Sequence, residues 1–247
     1  MISLGFSDIC LLKDNGNSLA FQDVAGSQGL VSTPIGNKWL FKNGNRTITY
    51  CVARGSNDIV GDSVERWVIN LAFTSWGLDL NLKFKSVSID DPHDFAIRWV
   101  SKKEDPYFTS DSILAYCGYP QTKWQGILRF NDDVIWTPDG SDLSSEELTK
   151  LTGRPSIKGN RYKTYNINQT ARHEIGHGLG AVHKEDCLDC IMYPYYNNTL
   201  FPTDGDLKLL EGKYGRRIYK SDEMKQNLRN AIQRDTMDWK GKWKLNI

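Results

Sequence analysis

Three of the four histidines in this 247-residue chain fall within eleven residues, His173-Glu174-Ile175-Gly176-His177-Gly178-Leu179-Gly180-Ala181-Val182-His183. A lone buried histidine is usually a hydrogen-bonded core residue, but three at this spacing read as a ligand set. On a helix, His177 follows His173 by four residues, so both imidazoles leave one face within reach of a single ion. Gly180 can take positive φ, stop the helix and turn the chain so that His183 returns as a third nitrogen ligand. Three neutral imidazoles and one open position suit Zn2+, which lowers the pKa of a bound water to about 7. Glu174, beside the first ligand, is then placed to be a general base that takes a proton and passes it to a departing amine. Peptide-bond hydrolysis is the reaction class this constellation fits best.

Such a set needs a helix with a defined start and stop, held by a core. Asn168 can cap a helix over residues 169–179. Residues 47–52 alternate and are β-branched, which predicts a strand. From Asp62 the apolar positions Val64, Trp67, Val68, Leu71 and Ala72 recur at helical spacing, with Gly77 as the expected stop. Residues 82–87, 95–100 and 126–130 read as further strands, and residues 113–116 as an edge strand. Inside the polar stretch 138–168, Ser144-Ser145-Glu146-Glu147 predicts a capping box opening a short helix. Another helix should begin near Thr203-Asp204, turn Leu207 and Leu210 inward and end near Gly215. Residues 1–37, rich in Gly, Ser, Asn and Gln, read as a loosely structured lead-in. Strands followed by helices, with one helix crossing between strands, predict an α+β fold.

Apolar residues at 39%, with 8 Trp and 11 Tyr, supply a folded core. The 31 basic and 30 acidic residues leave a net charge of +1, which excludes a globally basic nucleic-acid binder. That average hides two parts: residues 216–247 hold nine Lys/Arg against four Asp/Glu, or +5, leaving −4 for residues 1–215. Met224, Leu228, Ala231 and Ile232 lie at helical spacing in this tail. It reads as a helix packed back by one apolar stripe, or alternatively as an arm for an acidic partner or membrane surface. No apolar stretch approaches the ~20 residues that span a bilayer. Residues 1–12 show no basic region typical of a secretory signal. Cys187-x-x-Cys190 is compatible with a local disulfide, free thiols or part of a second metal site.

The eleven-residue histidine run resembles the metzincin zinc signature. Nine residues past His183 comes Met192, in Cys190-Ile191-Met192-Tyr193-Pro194, which resembles the Met-turn of matrixins. Trp39 with Arg46-Thr47-Ile48-Thr49-Tyr50, Asp94-Phe95-Ala96-Ile97-Arg98-Trp99, Ile113-Leu114-Ala115-Tyr116 and the segment 129–137 resemble successive matrixin strands, and residues 200–215 their closing helix. The likeness covers residues 38–215, with 138–168 as a loop insertion, 1–37 as an extension and 216–247 as a basic, helical tail. It implies a twisted, mostly parallel sheet with an antiparallel edge strand, packed on two long helices, and a zinc cleft between an upper and a lower subdomain.

The function implied is a zinc-dependent endopeptidase: His173, His177 and His183 on zinc, Glu174 as general base and Met192 as the floor beneath. An extended peptide would pair with the edge strand near Leu114 and Ala115, while Pro194, Tyr195 and Tyr196 wall the pocket beyond the scissile bond. The resemblance favours an extracellular location. The alternative is a zinc-containing binding or structural module with little or no proteolysis; an exopeptidase is a third reading. Matrixins hold a second, structural zinc through histidines whose positions appear here as Tyr116 and Arg129, so one zinc is expected. Acidic calcium ligands appear as Asn131 and Val134, which puts a structural calcium in doubt. No Pro-Arg-Cys-Gly motif occurs, and Cys10 is a poor candidate for a cysteine switch.

Overall fold

The computed structural model describes residues 9–13, 38–41, 44–58, 63–152, 158, 161–197 and 199–237. In chain order, β1 (Ile9–Lys13) and β2 (Thr47–Arg54) precede α1 (Ser63–Asp79), and β3 (Lys83–Ser86), β4 (Phe95–Val100), β5 (Ile113–Gly118) and β6 (Ile127–Asn131) follow. Short elements come next: β7 (Trp136–Thr137), β8 (Leu143–Ser144), α2 (Ser145–Thr152), β9 (Arg161–Tyr162) and β10 (Tyr165–Asn166). Three helices close the chain: α3 (Ile167–Gly178), α4 (Asp204–Tyr214) and α5 (Asp222–Met237).

Six strands make one sheet in the order β1-β5-β6-β4-β2-β3. The β3–β2, β2–β4 and β4–β6 pairs are parallel, and β5 runs antiparallel to β6. The fold is therefore α+β with a mostly parallel sheet and antiparallel pairing at one margin. A parallel sheet must be covered by helices. Here α1 and α3 pack on one another and on the strands, enclosing Phe73, Trp76, Phe95, Leu128 and Ile175 without measurable exposure. Each such side chain contributes about 1.5–3 kcal/mol of burial free energy, which fixes the two helices against the sheet.

Most expected elements form within two residues of their anticipated ends. The capping box does open α2: the Ser144 amide donates to Glu147 Oε2 and the Glu147 amide to Ser144 Oγ, at 2.9 and 3.2 Å. Gly77 differs from expectation, because α1 runs on to Asp79. A Cβ there would meet the Phe84 ring at 3.2 Å, so this glycine permits close packing of β3 on the helix rather than stopping it. The 138–168 stretch holds β8, α2, β9 and β10, with β8 pairing antiparallel to β9 and β10 pairing parallel to β7.

The lead-in also differs. Residues 9–13, an apolar run ending in Lys13, form β1 and pair antiparallel with β5. Strand β5 consequently lies one place in from the sheet margin. The rest of the expected lead-in falls outside the described residues.

In the tail, α5 packs back on α1. Ile232 joins Leu71 and Leu78 in a small buried cluster. Lys225 and Arg229 both pair with Asp79, whose side chain is 1% exposed. Two of the nine tail cations are thus spent on one buried carboxylate at the end of α1. Asp79→Ala should cost about 1–3 kcal/mol, between the values for exposed and buried ion pairs. Hydrogen exchange is expected to accelerate along 222–237 while α3 keeps its protection.

Candidate active site

Helix α3 starts two residues earlier than anticipated. Its cap is Asn166, whose extended backbone (φ −79°, ψ 108°) lets the side chain accept from the Gln169 amide at 3.0 Å. Asn168 instead lies inside the first turn, where its Nδ2 donates to the Pro138 carbonyl at 3.3 Å. All twelve helical residues are buried.

At the other end, Gly180 has φ +95° and its amide donates to the His177 carbonyl at 2.8 Å. This left-handed residue is where the helix turns. The carbonyls left over at a helix C-terminus need donors, and here distant side chains supply them. Trp39 Nε1 donates to Gly178 O at 2.8 Å, Tyr214 Oη to Leu179 O at 2.8 Å and Lys213 Nζ to Gly180 O at 2.5 Å. The turn that returns His183 is therefore pinned from both flanks of the chain. None of these three residues is marked by the local histidine pattern.

The three imidazoles converge, with one ligand-capable atom of each lying within 4.8 Å of the others. His177 Nε2 is 2.9 Å from His173 Nε2, and His183 Nε2 is 3.3 Å from the same atom. The other ring nitrogens meet backbone carbonyls: His173 Nδ1 faces Ile191 O at 2.6 Å and His177 Nδ1 faces Ala181 O at 2.8 Å. A carbonyl can only accept, so Nδ1 carries the hydrogen in both rings and each neutral ring presents a bare Nε2 lone pair. Lone pairs converging at 2.9 Å repel unless a cation lies among them. A tetrahedral zinc with Zn–N bonds of ~2.0–2.1 Å separates its nitrogens by about 3.3–3.4 Å, within a few tenths of the observed distances. The donor set fits one metal ion.

Burial favours the neutral, ligating form. Desolvation, with the charge of His183 adding to it, pushes His173 down to about 3, and burial holds His177 well below the usual histidine range. The metal-free chain should therefore lose stability on acidification. The unfolded histidine takes up a proton below ~6.5, whereas folded His173 resists until about 3, so stability falls as pH drops through that window. Urea midpoints of the chelator-treated chain should reveal a loss of roughly 2 kcal/mol from His173 between pH 6.5 and 5.

Met192 is fully buried. A Cβ on Gly176 would stand 2.3 Å from the Met192 sulfur and 3.0 Å from the Trp76 ring, so a larger residue here would have to displace the methionine. The Met192 carbonyl accepts from the Lys184 amide at 2.8 Å, tying this segment to the residue after His183. Asp206, missed by the sequence reading, holds the turn from behind. Its buried carboxylate accepts from the amides of Ile191 (3.0 Å), Met192 (2.8 Å) and Thr203 (2.7 Å) and from Thr203 Oγ1 (2.9 Å). The signal that could have found it is the Thr203–Asp206 spacing, which forms the capping box that opens α4.

Glu174 is fully buried on α3 between His173 and His177 in sequence. Leu114 and Ala115 are buried on β5, and the register of β1 places Leu12 opposite Ala115. Pro194 and Tyr196 are half-buried and Tyr195 is exposed. The Tyr196 hydroxyl accepts from the Asn166 amide at 3.1 Å, and its ring packs edge-on against Tyr165. Segment 194–196 is thereby linked to the cap of the histidine helix. Cys187 and Cys190 are joined as a disulfide. Tyr116 and Arg129 are register partners; Tyr116 Oη donates to Asp105 and Arg129 Nη1 to the Ala96 carbonyl.

Three histidines able to hold one metal ion, on a buried helix and the turn that follows it, beside a mostly parallel sheet with an antiparallel marginal pair, are the features of the metzincin class. Within it the matrixin family model matches residues 38–215, and the chain belongs to the matrixin family. It is 28% identical to human matrilysin over 191 residues, covering 74% of this chain and 61% of matrilysin. It is 26% identical to karilysin of Tannerella forsythia over 177 residues (69% and 32% of the two chains) and 27% to pig interstitial collagenase over 182 residues (72% and 32%). The chain thus spans about three-fifths of matrilysin and a third of the other two. Among the described residues no helix is long and apolar enough to cross a membrane.

Proposed function

We propose that the chain is a zinc-dependent endopeptidase that cuts internal peptide bonds of protein substrates. One observation carries the reading: three imidazole nitrogens converge within 4.8 Å on the helix and turn that also bear Glu174. His173, His177 and His183 would hold one zinc, which when bound supplies a Lewis acid to the scissile carbonyl and to a water. The Ile191 and Ala181 carbonyls keep the Nδ1 hydrogens of His173 and His177 in place, so Nε2 of each ring is directed at the ion. Met192 packs beneath and restricts movement of those rings.

Glu174 is the general base. Its carboxylate takes the proton of the attacking water and delivers it to the nitrogen of the departing amine. Enclosure of Glu174 by the helix and its neighbours excludes competing bulk water. An extended peptide pairs with β5 at Leu114 and Ala115 through main-chain hydrogen bonds, on the edge that β1 otherwise holds, and Pro194, Tyr195 and Tyr196 wall the pocket for the next side chain. A single zinc is proposed, because Tyr116 and Arg129, at the positions where matrixins hold a second, are engaged with Asp105 and a backbone carbonyl. Val134 is packed in the core and Asn131 Nδ2 donates to the Ile113 carbonyl, which disfavours calcium there. An extracellular location follows the family resemblance.

Incubation with unfolded casein, followed by mass spectrometry of the products, tests the reading. Internal fragments that vanish with a chelator are expected. Trimming from the termini alone would replace it with an exopeptidase. One bound zinc with no cleavage would favour the binding-module alternative, against which the retained Glu174 counts.

A further inference from the structure

A second concentration of charge lies at the β3 margin of the sheet, opposite β1, where the chain leaves α4. Main-chain bonds tie segment 215–217 to the end of α1. The Asn81 amide donates to Gly215 O at 3.0 Å and the Arg217 amide to Asp79 O at 2.8 Å, and Leu80 and Arg216 form an isolated antiparallel bridge. The Lys83 amide donates to Arg46 O at 2.9 Å, which brings the start of β2 alongside. Between these segments opens a cavity of about 690 Å³, lined by Arg46, Lys83, Arg216 and Arg217 with Asn45 and Asn81. None of the described residues lining it is acidic, and none belongs to the histidine helix or its turn.

Four cations around one cavity repel one another, whereas folded surfaces ordinarily intersperse the two signs. Main-chain acceptors hold two of the guanidinium groups in place. Arg46 Nη1 donates to Tyr214 O at 2.5 Å, and Arg217 donates to Leu80 O and Leu82 O. Such carbonyls fix position without cancelling charge. Of the four, only Arg216 has acidic partners, Glu211 at 2.7 Å and Asp204 at 3.4 Å. Lys83 is exposed, and its ammonium has no acidic partner among the described residues. Four positive and two negative groups leave a local excess of +2 on a scaffold already arranged for an anion.

We infer that this cavity binds a phosphate monoester of a small polar molecule, a sugar phosphate by size and lining. A phosphate monoester carries about −1.5 to −2 at neutral pH, which matches the local excess. Guanidinium forks meet its oxygens in pairs, and the Lys83 ammonium adds a point charge. The volume lies within the ~300–1,000 Å³ of small-ligand sites, so the rest of the ester has room against Asn45, Asn81 and Ile218. Asn45 Oδ1 accepts from the Thr47 amide at 3.2 Å, which leaves its Nδ2 hydrogens for ligand hydroxyls. No aromatic ring among the described lining residues is present to stack a nucleotide base, which favours a sugar.

The test is isothermal titration calorimetry of the zinc-loaded full chain with glucose 6-phosphate, with inorganic phosphate and glucose as parallel arms. One equivalent of the ester should bind, more tightly than inorganic phosphate, with an affinity that falls as salt rises. Hydrogen exchange over residues 81–83 and 215–217 should slow on binding. Lys83→Gln breaks no side-chain hydrogen bond among the described residues. It should keep the wild-type melting temperature and weaken binding about 10- to 100-fold, the range for one charge-assisted hydrogen bond. Lys83→Arg, which restores the charge, should recover most of that loss.

Inorganic phosphate binding as tightly as the ester overturns the sugar-phosphate assignment and makes this a site for the free anion. Glucose binding as tightly as the ester, wild-type affinity in Lys83→Gln, or no binding of either phosphate at low salt overturns the site itself. None of these outcomes depends on whether the chain cleaves peptides.

Discussion

Glu174→Gln is expected to retain one zinc per chain and the wild-type melting temperature while lowering kcat/KM on unfolded protein about 100- to 10,000-fold, the range for loss of a general base. The substitution is nearly isosteric in a site with no exposure, so packing is preserved. It removes the one property the mechanism uses, because a carboxamide takes up no proton near neutral pH. The loss should appear in kcat, since the substitution leaves β5 and segment 194–196 untouched. Zinc content by atomic absorption and steady-state kinetics on one preparation separate the two effects. A variant that binds zinc and cleaves at the wild-type rate would remove Glu174 from the mechanism. One that loses zinc as well would make it part of the metal site.

Asp206→Ala should be the most damaging substitution away from the histidines. The carboxylate accepts four hydrogen bonds in a site without exposure. Truncation strands the amides of Ile191 and Met192 in the interior, at about 1–3 kcal/mol each. A total loss of about 3–5 kcal/mol is expected, lowering Tm by roughly 6–20 °C for a chain of this size. The effect should extend to the metal. The Ile191 carbonyl that orients His173 belongs to the same turn, and losing such an orienting partner typically weakens metal affinity about 10- to 100-fold. Asp206→Asn keeps one accepting oxygen and should fall between. Thermal unfolding with excess chelator isolates the structural cost, and competition with a chromophoric zinc chelator measures the affinity. Wild-type zinc affinity in a destabilised Asp206→Ala chain would restrict Asp206 to holding the fold.

How far these features were legible depended on how local the physics is. The histidine site could be read because its geometry is helical: an i, i+4 pair, a glycine that turns the chain and a third ligand six residues on. Strand β5 and the capping box of α2 were equally local. What holds the site in place was not. Trp39, Lys213 and Tyr214 reach the end of α3 from separations of 139, 33 and 35 residues, and no periodicity announces such contacts. The cap of α3 was misread between two asparagines because Asn166 is both the last residue of β10 and the first residue before the helix. Gly77 was misread because its role is the ring of Phe84 beside it rather than its own backbone. The pairing of Ile9–Lys13 was hidden for a related reason. Five mostly apolar residues in a lead-in rich in Gly, Ser, Asn and Gln carry little strand signal alone, and the ladder edge they complete belongs to β5, about a hundred residues away.

Zinc titration into the metal-free chain, followed by internal cleavage of an unfolded protein, tests the central claim most directly. Cleavage should be absent without metal, rise in proportion to added zinc and stop rising at one equivalent, with histidine-to-alanine variants at 173, 177 or 183 failing to reach that plateau. Cleavage by the metal-free chain, or saturation with zinc that yields no internal fragments, would contradict it.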